Sequence, residues 1–470
     1  MSNQSRKDFL KRSALGFAGL TMAPFAAKAA SSSFNELNSR KWKSLFSAND
    51  QIRVAAIGMG IIAHFNVRTA LQVPGVELVA VADAYDSRLV HAKELYGADI
   101  FTTKDYREIL SRDDVDAVII STPDHWHSKM TFDALEAGKH VFCEKPMVQR
   151  IEQGNPVIEA YDRANLVMQV GSSFSSDMIF LKAAELFRSG AIGNLNQIVA
   201  QYNRNSSLGA WQYTIPESAN PDNLDWDAFL GSAPQRPFDP TRFFRWRNYD
   251  DYGTGVAGDL FVHLFTGIHT VLNSNGPNRV SAFGGLNSWH DGRDAEDLVC
   301  GQYQYPETDN HPEFTCVLQS NLADGGGSGT QFLFIGDEGS MEISPGSSIR
   351  LNRVPRREPG IDELVRGYNS VFTFSEADQN RIENKLIQQQ KSSVSVSPDM
   401  NQSEEYRAPG GYDSRLDHFV NFFNSIRNDA PQVQDPYFGF RAAAPSLLTN
   451  ISLRENRVLG WDPENLRMIS

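Results

Sequence analysis

The tripeptide Glu144-Lys145-Pro146 is the first candidate for chemistry in this chain. It follows the apolar residues 141–143, which have the composition of a buried strand. Ligands of open α/β sheets bind at the carboxyl ends of strands, and Lys145 is predicted to stand at such an end. An ammonium group there can hold and polarise a substrate hydroxyl. The alternative is a surface lysine before a turn-forming proline, and the upstream residues argue against it.

The second candidate is the pair Asp259 and His263. Apolar residues at 260, 261, 264, 265 and 268 predict a helix packed in the core. Residues four apart share one helical face, so the two side chains are predicted to be neighbours. The imidazole can accept a hydroxyl proton, and the carboxylate can orient the ring and favour its charged form. The alternative is a buried histidine that binds a backbone carbonyl.

A dinucleotide-binding unit is predicted upstream of both candidates. An apolar strand at 52–57 is followed by a G-x-G-x-x-A turn, Gly58 to Ala63, and then by a helix from 63 to about 72. The first glycine permits the tight turn, and Gly60 lets a pyrophosphate approach the backbone. The free N–H groups at the helix start then face the phosphates.

Asp83 follows a second predicted strand, 76–82, at about the spacing of a carboxylate that binds the adenosine ribose. A carboxylate there would repel a 2′-phosphate, so NAD is predicted rather than NADP. Arg88 is a reservation, because an arginine nearby can serve a phosphate.

Several segments together resemble the glucose–fructose oxidoreductase / inositol dehydrogenase (Gfo/Idh/MocA) family, and the Pro-Asp-His-Trp-His form resembles its exported bacterial branch. The similarity covers nearly everything from Gln51 onward. The segments that carry it are 58–63, Asp83, 122–127, 144–146, 224–234, 246–255 and 450–454.

The resemblance implies an α/β protein with an N-terminal NAD-binding Rossmann domain and a C-terminal α/β domain that has a large, open, mostly antiparallel sheet. It also implies NAD(P)-dependent oxidation or reduction of a sugar or cyclitol hydroxyl. Carried over to this chain, Lys145 binds the substrate oxygen, His263 is the acid/base and Asp259 supports the histidine. One departure is Thr266, where many members carry an acid.

The predicted cofactor site combines the glycine turn, the acid after the second strand and the loop that follows residue 121. Trp126 and His127 are expected near the nicotinamide or its ribose. The predicted cofactor-binding residues are Gly58, Met59, Gly60, Ile61, Ile62, Asp83, Arg88, Thr122, Pro123, Trp126, His127, Glu144 and Lys145. For the substrate, Trp246, Arg247 and Tyr252 offer aromatic faces and donors, although they can equally be core residues.

His125 and His127 would share one face if they lay on a strand, and they could then form a metal pair. No cysteine or acid with metal-ligand spacing accompanies them, so no metal is predicted.

Residues 1–29 are predicted to be a Tat-like signal peptide. Residues 5–11 approximate a twin-arginine motif with Lys7 in place of the second arginine, and Ala27-Lys28-Ala29 fits a cleavage site. A linker, 30–50, a Rossmann domain, 51–171, and a substrate and oligomerisation domain, 172–470, are predicted to follow. A periplasmic or exported homo-oligomer, a dimer or tetramer through the C-terminal sheet, is therefore expected.

The formal charge of −13 over 470 residues disfavours nucleic acid and anionic lipid as partners. No later apolar run approaches the length of a membrane span, so none is predicted in the mature protein. The three cysteines do not form a disulfide framework. Cys300 and Cys316 flank a predicted hairpin loop and could be cross-strand neighbours.

Strand-like runs after Gly171 predict an antiparallel sheet, with a polar mobile loop at 388–405 and a helix at 416–426. The predicted strands are 197–202, 280–283, 297–305, 314–319, 331–335 and 340–343.

We therefore predict an NAD-dependent oxidoreductase of a carbohydrate hydroxyl. The alternative is a redox-assisted glycosidase, in which transient oxidation of a ring hydroxyl permits elimination of the aglycone before the hydride is returned. A related family of N-acetylgalactosaminidases works in this way and tends to lack the lysine, so Lys145 favours the dehydrogenase. A non-catalytic binding protein on the same fold is a third possibility, disfavoured by the joint presence of Lys145, Asp259 and His263.

Overall fold

The computed structural model of the chain describes residues 33–36, 51–354, 361–366, 368–390 and 402–469. The predicted signal peptide, 1–29, lies outside these residues. Within the predicted linker, 30–50, Ser33–Glu36 is a strand of the second sheet, and the linker stays a prediction. In the part of the chain that is described, no helix combines the length and the apolar character needed to cross a membrane.

The first sheet has six parallel strands and forms the Rossmann unit. Its central strand, Ala117–Ile120, is buried throughout, as expected where helices cover both faces. The chain reverses its direction of winding between Ile52–Ile57 and Ala117–Ile120, which creates the crevice where doubly wound sheets bind ligands. In spatial order the strands are Phe101–Thr103, Val76–Ala82, Ile52–Ile57, Ala117–Ile120, His140–Glu144 and Met168–Gly171.

The second sheet contains eleven strands of the described residues and is mostly antiparallel. Two neighbouring pairs are parallel, Ser33–Glu36 with Gln402–Arg407 and Leu195–Asn203 with Phe314–Asn321. In spatial order the strands are Ser33–Glu36, Gln402–Arg407, Ser348–Arg353, Gly339–Ser344, Gly329–Gly336, Leu195–Asn203, Phe314–Asn321, Leu298–Tyr305, Arg279–Gly285, Leu459–Asp462 and Arg467–Ile469.

These two sheets confirm the predicted fold class, and each of the six strands predicted after Gly171 is present. The predicted mobile loop at 388–405 is wrong at both of its ends. Glu376–Gln390 is a helix and Gln402–Arg407 is a strand, because pairing with Ser348–Arg353 overrides the polar composition of that segment. The rest of the predicted loop, 391–401, lies outside the described residues.

Helices cover both sheets. A π-helical turn, Ala257–Phe261, runs directly into the α-helix Val262–Leu272. Among the described residues, the other α-helices are Ile61–Ala70, Asp86–Tyr96, Tyr106–Leu110, Asp124–Glu136, Gly154–Ala164, Met178–Arg188, Trp226–Leu230, Pro240–Phe244, Ile361–Arg366, Glu376–Gln390, Ser414–Asn428 and Pro436–Glu455. Short 3-10 turns lie at Ile151–Gln153, Ser173–Ser175, Trp246–Asn248 and Ser370–Thr373.

The helix Ser414–Asn428 returns to the first sheet although it comes late in the chain. Asp413 caps its start by accepting a hydrogen bond from the N–H of Arg415. Phe419 stacks on Phe142 of the first sheet with 4.4 Å between ring centroids. The predicted boundary after residue 171 stays a prediction, although the last strand of the first sheet does end at Gly171.

The three cysteines are free thiols. Cys300 and Cys316 lie on adjacent strands of the predicted hairpin, but Cys300 is opposite Gln319 and Cys316 is opposite Tyr303. The proposed neighbour relation is therefore wrong, because the strand register places the two thiols three positions apart.

Candidate active site

The glycine turn forms one end of a cavity of about 710 Å³ at the switch point of the first sheet. Gly58 has φ +85°, and a Cβ there would lie 2.9 Å from the carbonyl oxygen of Ser121, so only glycine fits. A Cβ on Gly60 would meet nothing within 4 Å, which leaves open space in front of the backbone. Ile61 and Ile62 begin the helix and also line the cavity. This turn therefore fits a pyrophosphate.

Asp83 is buried at the end of Val76–Ala82 and lines the same cavity. Its carboxylate accepts hydrogen bonds from the N–H groups of Met59, at 2.7 Å, and Tyr85, at 2.9 Å. Arg88 lies 3.3 Å from it and also faces the cavity. Met59 was predicted to bind the cofactor, but its side chain packs in the core and only its backbone N–H takes part here, by donating to Asp83.

The segment after strand Ala117–Ile120 enters the cavity through Thr122, Pro123 and Trp126. It continues as the helix Asp124–Glu136, so His125 and His127 do not share a face as they would on a strand. His125 instead lies within hydrogen-bond distance of the carbonyl oxygen of Phe229. His127 lies within hydrogen-bond distance of the carbonyl oxygens of Thr122 and Pro146.

His127 therefore does not line the cavity, and its predicted place beside the nicotinamide or ribose is wrong. It is 1% exposed and ties the turn at Thr122 to the segment that carries Lys145. Burial lowers the pKa of His127, so its neutral ring carries one N–H and donates to one of these two carbonyl groups.

Glu144 is buried at the cavity wall. Its carboxylate accepts a hydrogen bond of 2.8 Å from the amide of Asn66 and one of 3.1 Å from the N–H of Lys145. Asn66 lies on the helix that follows the glycine turn, so this contact links the phosphate-binding helix to the strand end that presents Lys145.

Lys145 and Asp259 contact each other in the part of the cavity that lies away from the glycine turn. The Lys145 ammonium group donates to both the carboxylate and the backbone carbonyl of Asp259 at 2.8 Å, and its side chain is only 10% exposed. The Nε of Arg247 lies 3.2 Å from the same carboxylate. Burial favours the neutral acid, but these two cations hold the pKa of Asp259 well below its usual range.

His263 lines the same end of the cavity, with Nδ1 3.2 Å from the hydroxyl oxygen of Ser172. The predicted support of His263 by Asp259 is wrong as a direct contact, because Asp259 bonds to Lys145 and Arg247. The physical reason is the π turn, which takes more than four residues per revolution and so rotates residue 259 away from the face of residue 263. Burial, with the nearby charge of Lys145, lowers the pKa of His263 well below its ordinary value.

Comparison with known families assigns both parts of this site. Residues 52–172 match the model described as "Oxidoreductase family, NAD-binding Rossmann fold", and residues 209–284 match "Oxidoreductase family, C-terminal alpha/beta domain". Both are models of one family. The chain belongs to the Gfo/Idh/MocA oxidoreductase family. The predictions of the family and of NAD as its cofactor are confirmed.

Similar proteins support the same assignment. A "Glycosyl hydrolase family 109 protein" of Shewanella baltica (strain OS155) and an "Alpha-N-acetylgalactosaminidase" of Shewanella oneidensis are each 32% identical over 216 residues. The match covers 43% of this chain and 46% of either relative, so the chain spans under half the length of these curated relatives.

Solved structures share the fold along most of the chain. A levoglucosan dehydrogenase in complex with NADH superposes with a TM-score of 0.62 at 16% identity, covering 87% of this chain and 99% of that one. An aldose-aldose oxidoreductase from Caulobacter crescentus has a TM-score of 0.59 at 18% identity, with coverage of 87% and 99%.

The predicted substrate residues of this Gfo/Idh/MocA protein separate into two groups. Trp246 and Arg247 line the cavity, and the guanidinium group of Arg247 lies 4.1 Å from the Trp246 ring centroid. Tyr252 is fully buried in an aromatic cluster against Phe229, so its prediction as a substrate residue is wrong. The Tyr252 ring fills space in this aromatic cluster and does not reach the cavity.

Residues of the site that the sequence analysis missed include Asn66, Arg204 and Arg415, which line the cavity, and Ser172, whose hydroxyl oxygen contacts His263. Asn66 is a polar residue within the helix of the glycine turn, a signal that was available. The other three had none, because strand ends and a late helix bring them together only in the fold.

Proposed function

We propose that this protein is an NAD-dependent oxidoreductase that acts on a hydroxyl of a sugar, glycoside or cyclitol by hydride transfer. One observation carries the proposal: Lys145, Asp259 and His263 lie at one end of the cavity that the glycine turn and Asp83 begin. Acid/base groups and a dinucleotide-binding turn thus share a single enclosed space, as oxidation of a hydroxyl requires.

Gly58, Gly60, Ile61 and Ile62 would hold the pyrophosphate of NAD, and Asp83 would bind its adenosine ribose. Bound NAD supplies the acceptor for the substrate's hydride. Thr122, Pro123, Trp126 and Glu144 would border the nicotinamide half, since they line the same cavity beyond the turn.

His263 is the proposed proton acceptor. Its lowered pKa keeps the imidazole neutral near pH 7, the state that can take a proton. A neutral ring whose Nδ1–H donates to Ser172 presents Nε2 as the basic nitrogen. The low pKa equally makes the imidazolium a strong acid, which suits return of the proton in the reductive direction.

Lys145 is proposed to hold the reacting oxygen. An ammonium group has three N–H donors, and Asp259 takes two of them through its carboxylate and its carbonyl. The third donor can bind the hydroxyl oxygen and stabilise negative charge on it as the proton leaves. Asp259 therefore acts as a positioning residue for Lys145 rather than for His263.

A panel of glycosides, free sugars and cyclitols, incubated with the purified protein and NAD, tests this function. Formation of NADH with a carbonyl product identified by mass spectrometry is the expected result. Absence of NADH and of any oxidised product across the panel, in a protein shown to bind NAD, would contradict the proposal.

A redox-assisted glycosidase is the second candidate, and the names of the Shewanella relatives favour it. The two functions differ in net cofactor turnover. A dehydrogenase accumulates NADH in proportion to product, whereas the glycosidase releases aglycone from a nitrophenyl glycoside while the total of NADH stays fixed.

We also propose that the protein is exported by the Tat route and carries its NAD with it. The support is the basic motif around Arg6 and Lys7 and the Ala-x-Ala site, all outside the described residues. Protein from periplasm, desalted and denatured, should release nearly one NAD(H) per chain. Replacing Arg6 and Lys7 together should leave folded, loaded protein in the cytoplasm, and a largely empty periplasmic protein would argue against retention.

Self-association through the second sheet is the proposed quaternary arrangement. Phe283 is 68% exposed on strand Arg279–Gly285, and Val199 is exposed on Leu195–Asn203, so this face offers apolar surface to a second copy. Sedimentation velocity should show a dimer or tetramer, and Phe283→Glu should shift it toward monomer. A monomeric wild-type protein at micromolar concentration would contradict this arrangement.

A further inference from the structure

The catalytic end of the cavity carries more positive than negative charge, although the whole chain has a formal charge of −13. The lining near Lys145 and His263 includes the cations Lys145, Arg204, Arg247 and Arg415 and the carboxylates Glu144 and Asp259. Of these, Lys145, Arg204, Arg415 and Asp259 act electrostatically on the His263 imidazole. The lining also contains Asp227 and Asp225, whose N–H donates to the carbonyl of Ala84 next to Asp83.

Both carboxylates are already engaged by other groups. Asp259 bonds to Lys145 and Arg247, and Glu144 accepts from Asn66 and from the backbone. Asp124 lies behind this end and interacts with Arg247, but burial raises its pKa to about 7 and its carboxyl accepts from Thr254. Little negative charge is therefore left for the other two arginines.

Neither Arg204 nor Arg415 forms a close ion pair with a carboxylate among the residues that the structure describes, although the charge of Arg204 reaches Asp259. Arg204 follows strand Leu195–Asn203, where one N–H donates to the carbonyl of Gly209 at 3.3 Å and the guanidinium group lies 5.1 Å from the Tyr202 ring centroid. Four of its five N–H donors are not committed in these contacts.

Arg415 is presented by the capped first turn of Ser414–Asn428, with its guanidinium group 5.3 Å from the Phe65 ring centroid. Aromatic faces hold both arginines in place without neutralising them. Both also lie near enough to His263 for their charges to act on its imidazole.

We propose that the substrate is an acidic carbohydrate, whose carboxylate or sulfate ester is bound by Arg204 and Arg415 beside the hydroxyl that faces His263. This inference rests on the proposed function. A guanidinium group matches the geometry of either anion with paired, charge-assisted hydrogen bonds. A neutral sugar would instead displace water from two arginines and give them no counter-charge in return.

The test measures binding to the NAD-loaded protein by calorimetry. The probes are methyl glycosides of gluco, galacto and manno configuration, each as the neutral sugar, the uronate and the sulfate ester at the primary hydroxyl. At least one acidic member should bind about 10-fold to 100-fold more tightly than its neutral partner, with an advantage that falls as NaCl is raised. The uronate and sulfate arms distinguish the two anions.

Arg204→Gln and Arg415→Gln should each remove about 10-fold of that advantage and leave the affinity of neutral sugars nearly unchanged. Arg163→Gln, at an exposed arginine of the helix Gly154–Ala164, is the matched control and should change neither. NAD affinity is measured in each variant. Weaker NAD binding with an unchanged preference for acidic sugars would assign the arginines to the cofactor's phosphates and overturn the inference.

The remaining outcomes distinguish a failure of the acidic-substrate inference from a failure of the proposed oxidoreductase function. Neutral sugars that bind and are oxidised as well as acidic ones would overturn the acidic substrate while the oxidoreductase stands. Acidic sugars that bind through the arginines without any hydride transfer would support the binding site and overturn the proposed reaction. No binding of any acidic probe would overturn the inference.

Discussion

Asp259→Asn is the most informative single perturbation of this site. The change preserves the shape of the side chain but removes the charge that Lys145 and Arg247 share. Both partners are then left in a buried environment without their counter-ion. Removing one member of a buried ion pair costs about 3–5 kcal/mol of folding free energy, because the remaining charge stays desolvated.

The corresponding shift in melting temperature follows from the size of the chain. An unfolding entropy of about 2.1 cal/mol/K per residue gives about 1 kcal/mol/K for a protein of 470 residues. If the chain unfolds as one unit, the variant should therefore melt about 3–5 °C below the wild type. Differential scanning calorimetry of the NAD-free proteins measures this difference.

The pH dependence of that difference has a definite sign. Because the folded-state pKa of Asp259 is depressed, its stabilisation is fully present above the unfolded value of 3.8 and is lost as the pH falls through the folded pKa. The gap between the two proteins should stay constant from pH 8 to about 5 and narrow only below pH 4.

Glu185→Gln is the matched control, since it breaks an exposed pair with Lys182 and should shift the melting temperature by less than about 1 °C. The reasoning is refuted if Asp259→Asn melts within 1 °C of the wild type at pH 7, or if the gap grows as the pH is lowered.

Three further predictions concern turnover, cofactor choice and a buried acid. Lys145→Ala and His263→Ala should each lower turnover by about 10²-fold to 10⁴-fold with NAD binding retained, and near-normal steady-state rates would show that the site is misplaced. NAD should bind more tightly than NADP in fluorescence titrations, and Asp83→Ser should narrow the difference; tighter NADP binding by the wild type would contradict this. Burial raises the pKa of Asp124 to about 7 in the folded protein, so from pH 4 to 7 its carboxyl ionises mainly in the unfolded chain and the folded state loses stability as the pH rises. The melting temperature of Asp124→Asn should therefore rise relative to that of the wild type over that pH range. A difference in melting temperature that does not change with pH would contradict this prediction.

The parts of the site that the sequence predicts well are those with a local physical cause. Gly58 needs a backbone conformation that other residues avoid, and Lys145 follows a strand recognisable from its apolar run. The order of strand, turn, helix and acid is contained in adjacent residues. For the same reason the strands at 52–57, 76–82 and before Glu144 were predictable, whereas the short edge strands Phe101–Thr103 and Met168–Gly171 were not.

The errors arise where a distant contact decides the outcome. Asp259 pairs with Lys145, which is 114 residues away in the chain, and with Arg247, which is 12 residues away. The π turn before Val262 has no signature in the apolar spacing. Trp246 and Tyr252 both lie in a segment rich in aromatic residues, so the sequence does not distinguish them. In the fold Trp246 faces the cavity and Tyr252 is buried. Arg415 could not be assigned at all, because its helix packs on a sheet that is more than 240 residues earlier in the chain.

The late return of that helix has a consequence for synthesis. Phe419, Phe422 and Phe423 complete the apolar layer over Ile52 and Phe142, so this part of the first sheet stays uncovered until residues near 428 have left the ribosome. Most domains fold as units while the chain is still being made. Here the first sheet cannot complete its apolar layer until the helix Ser414–Asn428 has been made, and a nascent chain arrested before residue 414 should remain sensitive to protease along its nucleotide-binding strands.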